Sequence, residues 1–389
     1  MKNTEYIIAL LLYKVCGADI DKEIFLNKDA SFYEDLYIYS KKQDVSHIVG
    51  AALADLKLIS SAGESGAKFS SDHMLAVFRY RRLTDELSRL HTLFEENEIA
   101  HIALKGSVLR EFYPEPWMRT SCDIDILVNK KDLGLAKSLL TEKFGYEHTG
   151  STPCDISFES KSGVHLELHF ALMPDEHSDV GDALLDAVWE RTYRAENKNF
   201  TYFMNDEIFY YYHIIHMAKH FQAGGCGVKP FLDLCILNER VPHDKSKREE
   251  LLKNSRFSAF ENGMLRLLGV WFSGDAEDEF TKSLESFIFV GGAYGTVENG
   301  VNVGVAQKKG RLKYVLSRIF LPYKSMRINY PILEKHKILL PLYHVRRWYR
   351  IVFKSGIKTA KSQIGKSGRI TDEGIENMSS VLSKLGLLE

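Results

Sequence analysis

Residues 104–128 hold the turn and the strand on which the fold depends, and they read LKGSVLREFYPEPWMRTSCDIDILV. The turn, residues 105–107, follows an apolar run at 100–104 that has the length and composition of a short buried strand. Further on, Asp123 and Asp125 alternate with isoleucines, a period of two that is typical of a strand with one polar face. We therefore predict strand, turn, helix and second strand along this stretch.

The next elements extend this pattern into a small sheet. Residues 133–144 return to helical spacing. Residues 156–160 and 164–170 flank a glycine-containing turn, so they predict an antiparallel hairpin. In its second strand, Glu167 shares one face with two histidines, and leucines occupy the other face. This order of elements predicts an α+β fold with a small sheet of mixed strand directions, set between helical regions.

Helical patterns predominate before and after the sheet. The first proline is Pro114, and apolar residues recur at spacings of three to five along residues 72–97. Residues 206–221 and 231–239 also have helical spacing. We divide the chain into an N-terminal helical region at 1–97, an α/β core at 98–200, a helical domain at 201–300 and a basic, mostly helical C-terminal region at 301–389.

The overall composition is that of a globular protein. The chain has 389 residues, of which 45% are hydrophobic, and a net charge of -1, so the whole has no general affinity for polyanions. Its five cysteines contain no C-x-x-C pair, which favours a reducing compartment. No apolar run reaches the roughly 20 residues that a transmembrane helix needs. We expect a soluble, cytoplasmic protein.

Charge is distributed unevenly along the chain. Residues 308–361 contain 15 lysines and arginines and one acid, Glu334, for a net charge of +14, which leaves -15 on the remainder. Cations among aromatic rings are suited to nucleic acid, and a membrane-surface helix near residues 337–354 would also fit. We expect instead that this basic region docks on the acidic remainder, because opposite charges attract, and that it makes no contact with a membrane surface.

Three carboxylates on two predicted strands indicate a metal site. Asp123, Asp125 and Glu167 lie on polar faces of strands whose other faces are apolar. Grouped carboxylates repel one another unless a cation neutralises them, and oxygen ligands without cysteine are suited to Mg²⁺ or Mn²⁺ rather than zinc. Repulsion of this kind also predicts that Asp125→Asn does not harm the metal-free protein.

A phosphate site is predicted at the turn that precedes the first helix of the core. Gly106 permits close approach of the backbone, Ser107 supplies a hydroxyl donor and Lys105 supplies positive charge. The turn lies between a predicted strand and a helix start, where backbone N–H groups attract anions. Metal carboxylates and a phosphate cradle at one end of a sheet would suit the transfer of a nucleotidyl group from a nucleoside triphosphate.

These motifs resemble those of a known superfamily. Gly106-Ser107, Asp123-Ile124-Asp125 and Leu166-Glu167-Leu168 are similar to the signature of the DNA polymerase beta-like nucleotidyltransferases. More narrowly, residues 104–128 resemble a bacterial group of uncharacterised nucleotidyltransferases, and the likeness extends over most of the chain through HLELHF, HIIHMAKHF, FLDL and GGAYGTVEN. The interval from Ser107 to Asp123 is a few residues longer than is usual in the superfamily.

The resemblance implies a Mg²⁺-dependent enzyme that moves a nucleoside monophosphate from a triphosphate such as ATP to a hydroxyl acceptor and releases pyrophosphate. Asp123 and Asp125 would bind both metal ions, and Glu167 would bind one and assist deprotonation of the acceptor. An RNA end, a protein side chain or a small molecule could be that acceptor. The domain at 201–300 would complete the nucleotide cleft.

Further residues are assigned to binding of the triphosphate, and each assignment has an alternative explanation. Arg119 would reach a phosphate or pair with a nearby acid. Lys219 and His220 would face the triphosphate, although a zinc site with two nearby histidines or a packed polar helix face would explain them as well. The glycine run at 291–295 is interpreted as an interdomain loop, with a lid as the alternative. His165 and His169 flank Glu167 and are candidates to support the carboxylates.

A second class of function is also compatible with these motifs. An enzyme-like site can bind a nucleotide without reacting, so the chain would then be a catalytically silent nucleotide- or nucleic-acid-binding module with the same fold.

Overall fold

The fold is described from a computed structural model that covers residues 3–173, 185, 187–253, 255–350 and 372–388. Residues 351–361, the end of the basic segment, lie outside this description. Helices make up most of the chain before and after the residues that form the sheet. In chain order they are α1 Asn3–Leu11, α2 Glu23–Leu26, α3 Ala30–Lys42, α4 Ser46–Asp55, α5 Gly63–Glu96, α6 Gly106–Leu109, α7 Leu133–Ser138, α8 Asp206–Ala223, α9 Lys229–Glu239, α10 Lys245–Lys253, α11 Ser258–Phe272, α12 Glu279–Gly291, α13 Val297–Gln307, α14 Arg311–Ile319, α15 Tyr323–Asn329, α16 Ile332–Lys335, α17 Leu340–Arg350 and α18 Asp372–Lys384.

A seven-stranded mixed sheet forms the α/β core. Its strands are β1 His101–Ala103, β2 Asp123–Val128, β3 Glu147–Ser151, β4 Asp155–Glu159, β5 His165–His169, β6 Thr192–Arg194 and β7 Thr201–Met204. They lie side by side in the order β3-β4-β5-β2-β1-β7-β6. The pairs β2–β5 and β1–β7 are parallel, and the other neighbours are antiparallel. The predicted α+β class with mixed strand directions is confirmed.

The sheet is larger than the sequence pattern indicated. The predicted strands before the turn and at the two aspartates are present as β1 and β2, and the predicted hairpin is β4 and β5. Three further strands, β3, β6 and β7, were not predicted. β3 reads EHTGS and has no apolar alternation, because it is an edge strand whose residues are mostly exposed. β6 has three residues, too few to show a period.

One face of the sheet is covered by an apolar core. Alternate residues of β2 and β5 are fully buried there, and α5 and α7 pack against them. The residues that meet in this core are Leu90, Phe94, Ile124, Ile126, Ala136, Leu140, Leu166 and Leu168. Because successive side chains of a strand point to opposite faces, burial of these positions fixes the aspartates, glutamate and histidines of β2 and β5 on the other face.

The chain forms two compact units. The first comprises residues 3–215, 228–256 and 268–275 within the described ranges, and holds the N-terminal helices, the whole sheet and α9. The second comprises residues 216–227, 257–267 and 276–388, again within the described ranges. Two helices, α8 and α11, have residues in both units. The four-part division of the sequence stays a prediction.

Close glycine contacts hold part of the second unit together. The glycine run at 291–295 joins α12 to α13 inside this unit, so it is not an interdomain loop. A Cβ atom added at Gly295 would lie 2.7 Å from the backbone of Gly224, and one added at Gly300 would lie 2.8 Å from the carbonyl oxygen of Ala223. These separations require glycine at both positions.

Two cysteines that are distant in sequence meet in the first unit. Cys16 ends a short π-helix that continues α1, and its Sγ lies 3.3 Å from the Sγ of Cys235 on α9. Spacing along the chain gave no indication of this pair, because 219 residues separate the two positions. In the part of the chain described, no helix combines the length and the apolar character needed to cross a membrane.

Candidate active site

The polar faces of β2 and β5 create the candidate site. The two strands are parallel neighbours, and their register pairs Asp123 with His165 and Asp125 with Glu167. His169 follows on the same face of β5, opposite Leu127 of β2. Parallel pairing in this register therefore brings two aspartates, a glutamate and two histidines onto one surface of the sheet.

Asp125, Glu167 and His169 form the tightest group on this surface. His169 Nε2 donates a hydrogen bond to Asp125 Oδ1 at 2.9 Å and lies 3.4 Å from Glu167 Oε2. One potential ligand atom from each residue lies within 4.8 Å of the other two, so these residues can hold a metal ion. His165 is more distant, with its Nε2 atom 4.0 Å from Glu167 Oε1.

The ammonium group of Lys105 lies among the same carboxylates. Its Nζ atom is 2.8 Å from Asp125 Oδ1 and 4.0 Å from Glu167 Oε2. Lys105 stands between β1 and α6 with a φ of 47°, a region that residues other than glycine rarely occupy. A strained backbone at a functional position is a common feature of sites that fix a side chain in one place.

Burial and charge act in opposite directions on these groups. Burial alone would raise the pKa of Asp125, but Lys105 and the hydrogen bond from His169 hold it well below its usual range. Burial alone would lower the pKa of the Lys105 ammonium, but the negative charges of Asp125 and Glu167 outweigh this effect and raise the pKa. Burial alone would lower the pKa of His169, but hydrogen bonds to Asp125 and Glu167 outweigh this effect and raise the pKa to about 9. Asp125 is thus an anion paired with two cations.

Asp123 has the opposite environment. Burial and the neighbouring charge of Asp125 raise the pKa of Asp123, and Lys105 only partly compensates. Its side chain is half-buried and lies outside the tightest group of ligand atoms. Of the two aspartates, Asp123 is therefore the one whose charge is not neutralised by the protein itself.

The predicted phosphate turn lies directly before α6. Ser107 is buried, and its backbone N–H donates to Leu104 O at 3.2 Å, so this amide already has a partner within the turn. A Cβ atom at Gly106 would lie 3.4 Å from an Arg119 nitrogen, which shows how closely that guanidinium approaches the turn. Lys105, the first residue of the turn, contacts Asp125 directly. Binding of a phosphate at Gly106 and Ser107 stays a prediction.

The site lies within a region of recognisable sequence. Residues 31–273, more than half of the chain, match the profile of a family described as uncharacterised nucleotidyltransferase. The chain belongs to this nucleotidyltransferase family. It is therefore an enzyme of the class that transfers nucleotidyl groups, and such enzymes use a nucleotide substrate and generally a divalent metal. No curated protein and no solved structure matches the chain.

In this nucleotidyltransferase, Arg119 pairs with an acid that the sequence analysis did not identify. Arg119 Nε donates to both carboxylate oxygens of Asp233, at 2.7 and 3.0 Å, and Asp233 also accepts from Tyr113 Oη at 2.7 Å. Asp233 is fully buried on α9. Of the two alternatives left open for Arg119, the structure shows the acid pairing; contact with a phosphate stays a prediction. The only sequence signal for Asp233 was its place in FLDL.

Tyr212 on helix α8 interacts electrostatically with the charged groups of the site, and the sequence analysis did not identify it. Tyr212 is buried in the first unit, and burial together with the charges of Asp125 and Glu167 raises its pKa, against the effect of Lys105. Nothing in the run FYYYH marks this tyrosine out from its neighbours.

Lys219 and His220 lie on the last turns of α8, which belong to the second unit. His220 Nε2 is 3.2 Å from His216 Nε2 in that unit. Their predicted contact with the triphosphate therefore stays a prediction. No group of three metal-ligating side chains within the described ranges includes these histidines.

Proposed function

We propose that this protein transfers a nucleoside monophosphate from a nucleoside triphosphate to a hydroxyl group of an acceptor, with release of pyrophosphate, and that Mg²⁺ or Mn²⁺ is required. The core would then be that of a polymerase beta-like nucleotidyltransferase. The observation that carries the proposal is the convergence of Asp125, Glu167 and His169 on one sheet face beside Lys105.

The residues present are suited to a divalent cation. Two carboxylates and one imidazole nitrogen within 4.8 Å of one another can surround an ion that lies about 2.1 Å from each ligand, after small side-chain rotations and loss of a proton from His169. His169 Nδ1 is buried without a hydrogen-bond partner in the described structure, and the polar contacts of the ring are made through Nε2. Asp123 and Asp125 would hold both metal ions and Glu167 one. Bound metal would neutralise the phosphates and keep the attacking and leaving oxygens in line.

Lys105 would change partners when substrate binds. Together with His169, its ammonium neutralises Asp125 at 2.8 Å. Phosphate oxygens supply the same negative charge, so the long flexible side chain of Lys105 can turn from Asp125 toward a triphosphate held at Gly106 and Ser107. Arg119, Lys219 and His220 would add positive charge around that triphosphate.

Glu167 would accept the proton of the acceptor. Its side chain is about one-quarter exposed, so a hydroxyl group can approach it from solvent. The hydroxyl oxygen attacks the α-phosphorus while its proton passes to Glu167, and the bond from that phosphorus to the bridging oxygen of pyrophosphate breaks. An RNA end, a protein side chain or a small molecule each supplies such a hydroxyl.

The test is transfer of label from nucleoside triphosphates to molecules of a cell extract. We expect a labelled product in the presence of Mg²⁺, its loss in chelator and a reduction of at least about a hundredfold with Asp125→Asn, since this removes a metal ligand and a partner of Lys105. Asp35→Asn, an exposed aspartate on α3, is the matched control and should keep full activity. Equal labelling by both variants would contradict the proposal.

The family assignment makes the chain an enzyme, so the silent binding module that the sequence left open is kept only as an outcome of the labelling test. Lys105 and His169 already neutralise Asp125, so the charge of this carboxylate is balanced without a metal ion. A silent module would bind Mg²⁺–nucleotide and give no labelled product with any extract. Nucleotide affinity measured by calorimetry beside the labelling assay separates the two candidates.

A further inference from the structure

An apolar stripe is exposed along α17 and the turn before it. Ile338, Leu342, Val345 and Tyr349 recur at spacings of four, three and four, which places them on one line of a helix. They are 88%, 62%, 56% and 60% exposed. Four large side chains in a continuous row, all more than half exposed, are unusual on a soluble surface and indicate a binding face.

The opposite face of α17 is anchored to α14, which fixes the direction of the stripe. His344 is buried, and Trp348 Nε1 and Arg347 both donate to Ile319 O at the end of α14, at 2.9 and 3.2 Å. The ring of Phe320 lies 5.3 Å from that of Trp348. The stripe thus faces outward because the helix is held by its other side.

Helix α14 repeats this arrangement. Leu312, Leu316 and Phe320 recur every four residues and are all exposed, while Tyr314 on the other side is buried. The two anchored helices therefore both present apolar side chains to solvent within the second unit.

Exposed cations accompany these apolar side chains. They are Lys308, Lys309, Lys313, Arg318, Lys335, Lys337, Arg346 and Arg350. Glu334 is the only acid between residues 308 and 350 in the sequence. The occupant of this surface must therefore be both apolar and negatively charged.

Contrary to the expectation from the sequence that this region makes no contact with a membrane surface, we propose that α14 and α17 bind the surface of a lipid bilayer that contains anionic lipids. The stripe would enter the boundary between headgroups and acyl chains, and the cations beside it would contact lipid phosphates. A bilayer supplies both chemistries at once, whereas a second copy of this chain would bring like charge to the same face.

The chemistry of the exposed side chains distinguishes lipid from nucleic acid. Binding of nucleic acid would use exposed rings that stack on bases. Five of the seven exposed apolar residues on and beside these helices are aliphatic, and the ring of Phe320 already packs against that of Trp348. Two of the arginines also lie over tyrosine rings, Arg346 over Tyr343 and Arg350 over Tyr330. This surface lies beyond residue 273, where the family match ends, so it does not depend on the proposed function.

The experiment is co-sedimentation of the full chain with vesicles of phosphatidylcholine alone or mixed with phosphatidylglycerol. We expect binding to the mixed vesicles, weakened by salt because surface charge is screened. Leu342→Glu with Val345→Glu should weaken it at least tenfold, roughly the effect expected for two lost apolar side chains. Arg346→Glu with Arg350→Glu should weaken it while leaving the apolar stripe intact.

A matched control comes from another helix. Met74→Glu with Phe78→Glu replaces two exposed apolar residues on α5 and should bind mixed vesicles like the wild type. The proposal is overturned if neither vesicle is bound or if the Leu342/Val345 variant binds like the wild type. It is also overturned if single-stranded RNA is bound in place of vesicles, or if the stripe variant only converts a dimer to a monomer in light scattering.

Discussion

Asp125 is stabilised as an anion before any metal binds. Lys105 lies 2.8 Å away and His169 2.9 Å away, and both contacts are largely buried. The sequence suggested that removing this charge would relieve repulsion and leave the metal-free protein unharmed. The geometry indicates the reverse, because the neighbours of Asp125 are cations.

Asp125→Asn should therefore destabilise the protein in chelator by about 3 kcal/mol, since it leaves a buried ammonium without its partner. Asp123→Asn is the matched control. The repulsion predicted from the sequence acts on Asp123, whose pKa is raised by burial and by Asp125, so this variant should be as stable as the wild type or more so. Urea unfolding of both variants in chelator measures this; equal midpoints would show that Asp125 has no such role.

His169 gives the metal-free protein a dependence on pH. Its pKa is raised from 6.5 to about 9 despite burial, by hydrogen bonds to Asp125 and Glu167. A raised pKa contributes stability that is complete below pH 6.5 and is lost as the pH rises through 9. We expect a loss on the order of 3 kcal/mol across this window in chelator. His169→Gln should flatten the profile; an unchanged slope in that variant would assign the effect to another group.

At the scale of elements, α9 supports the turn at residues 105–107 through Arg119. Asp233 is fully buried on this helix and holds Arg119, whose guanidinium lies against Gly106. Asp233→Asn should cost about 3 to 5 kcal/mol of stability because Arg119 loses a buried partner. Thermal unfolding measures the loss, with Asp35→Asn as a control. Asp233→Glu should restore part of the stability if the charge matters; no recovery would indicate that shape alone decides.

Helix α9 also carries Cys235, whose sulfur lies 3.3 Å from that of Cys16. We expect hydrogen peroxide to join the two thiols in a disulfide, with each thiol losing a hydrogen and the peroxide being reduced to two waters. Mass mapping without reductant should find this bond and leave the buried Cys226 as a thiol. Closing so long a loop would add at most about 5 kcal/mol of stability. Cys16→Ser should abolish the link; a link to Cys122 or Cys154 would contradict the pairing.

The sequence predicted those elements whose side chains alternate with a clear period. β2, β4 and β5 were identifiable because one face of each contributes to the core, and that burial also places Asp125 and Glu167 on the opposite face. Strands β3, β6 and β7 lack this alternation, so their formation depends on pairing with neighbouring strands. Periodicity assigns residues to a face but does not measure distances, which is why His169 was expected only to support the carboxylates.

Periodicity along the chain does not reveal contacts between residues that are far apart in sequence. Arg119 and Asp233 are 114 residues apart, and no local pattern links them. The position of Tyr212 near Lys105 depends on how α8 packs in the first unit, which is again a tertiary property. The structure thus adds partners to residues that the sequence had already singled out.

At the scale of the whole molecule, the two units share helices. α8 has residues 206–215 in the first unit and 216–223 in the second, and α11 is divided in the same manner. A helix is cooperative along its length, so melting of one unit should disrupt the other. We expect one calorimetric transition for the full chain. Two separated transitions, only one of which moves with Asp125→Asn, would show that the units unfold independently.

The parallel register of β2 and β5 has a consequence for how this chain can vary. Insertions in the turn at residues 160–164 would change the connection and leave Asp125 beside Glu167. Deletion of one residue ahead of Leu166 within β5 would instead exchange its two faces, turning leucines toward solvent and the glutamate into the apolar core. Natural length differences among relatives should therefore accumulate in the connections and spare five consecutive positions of this strand.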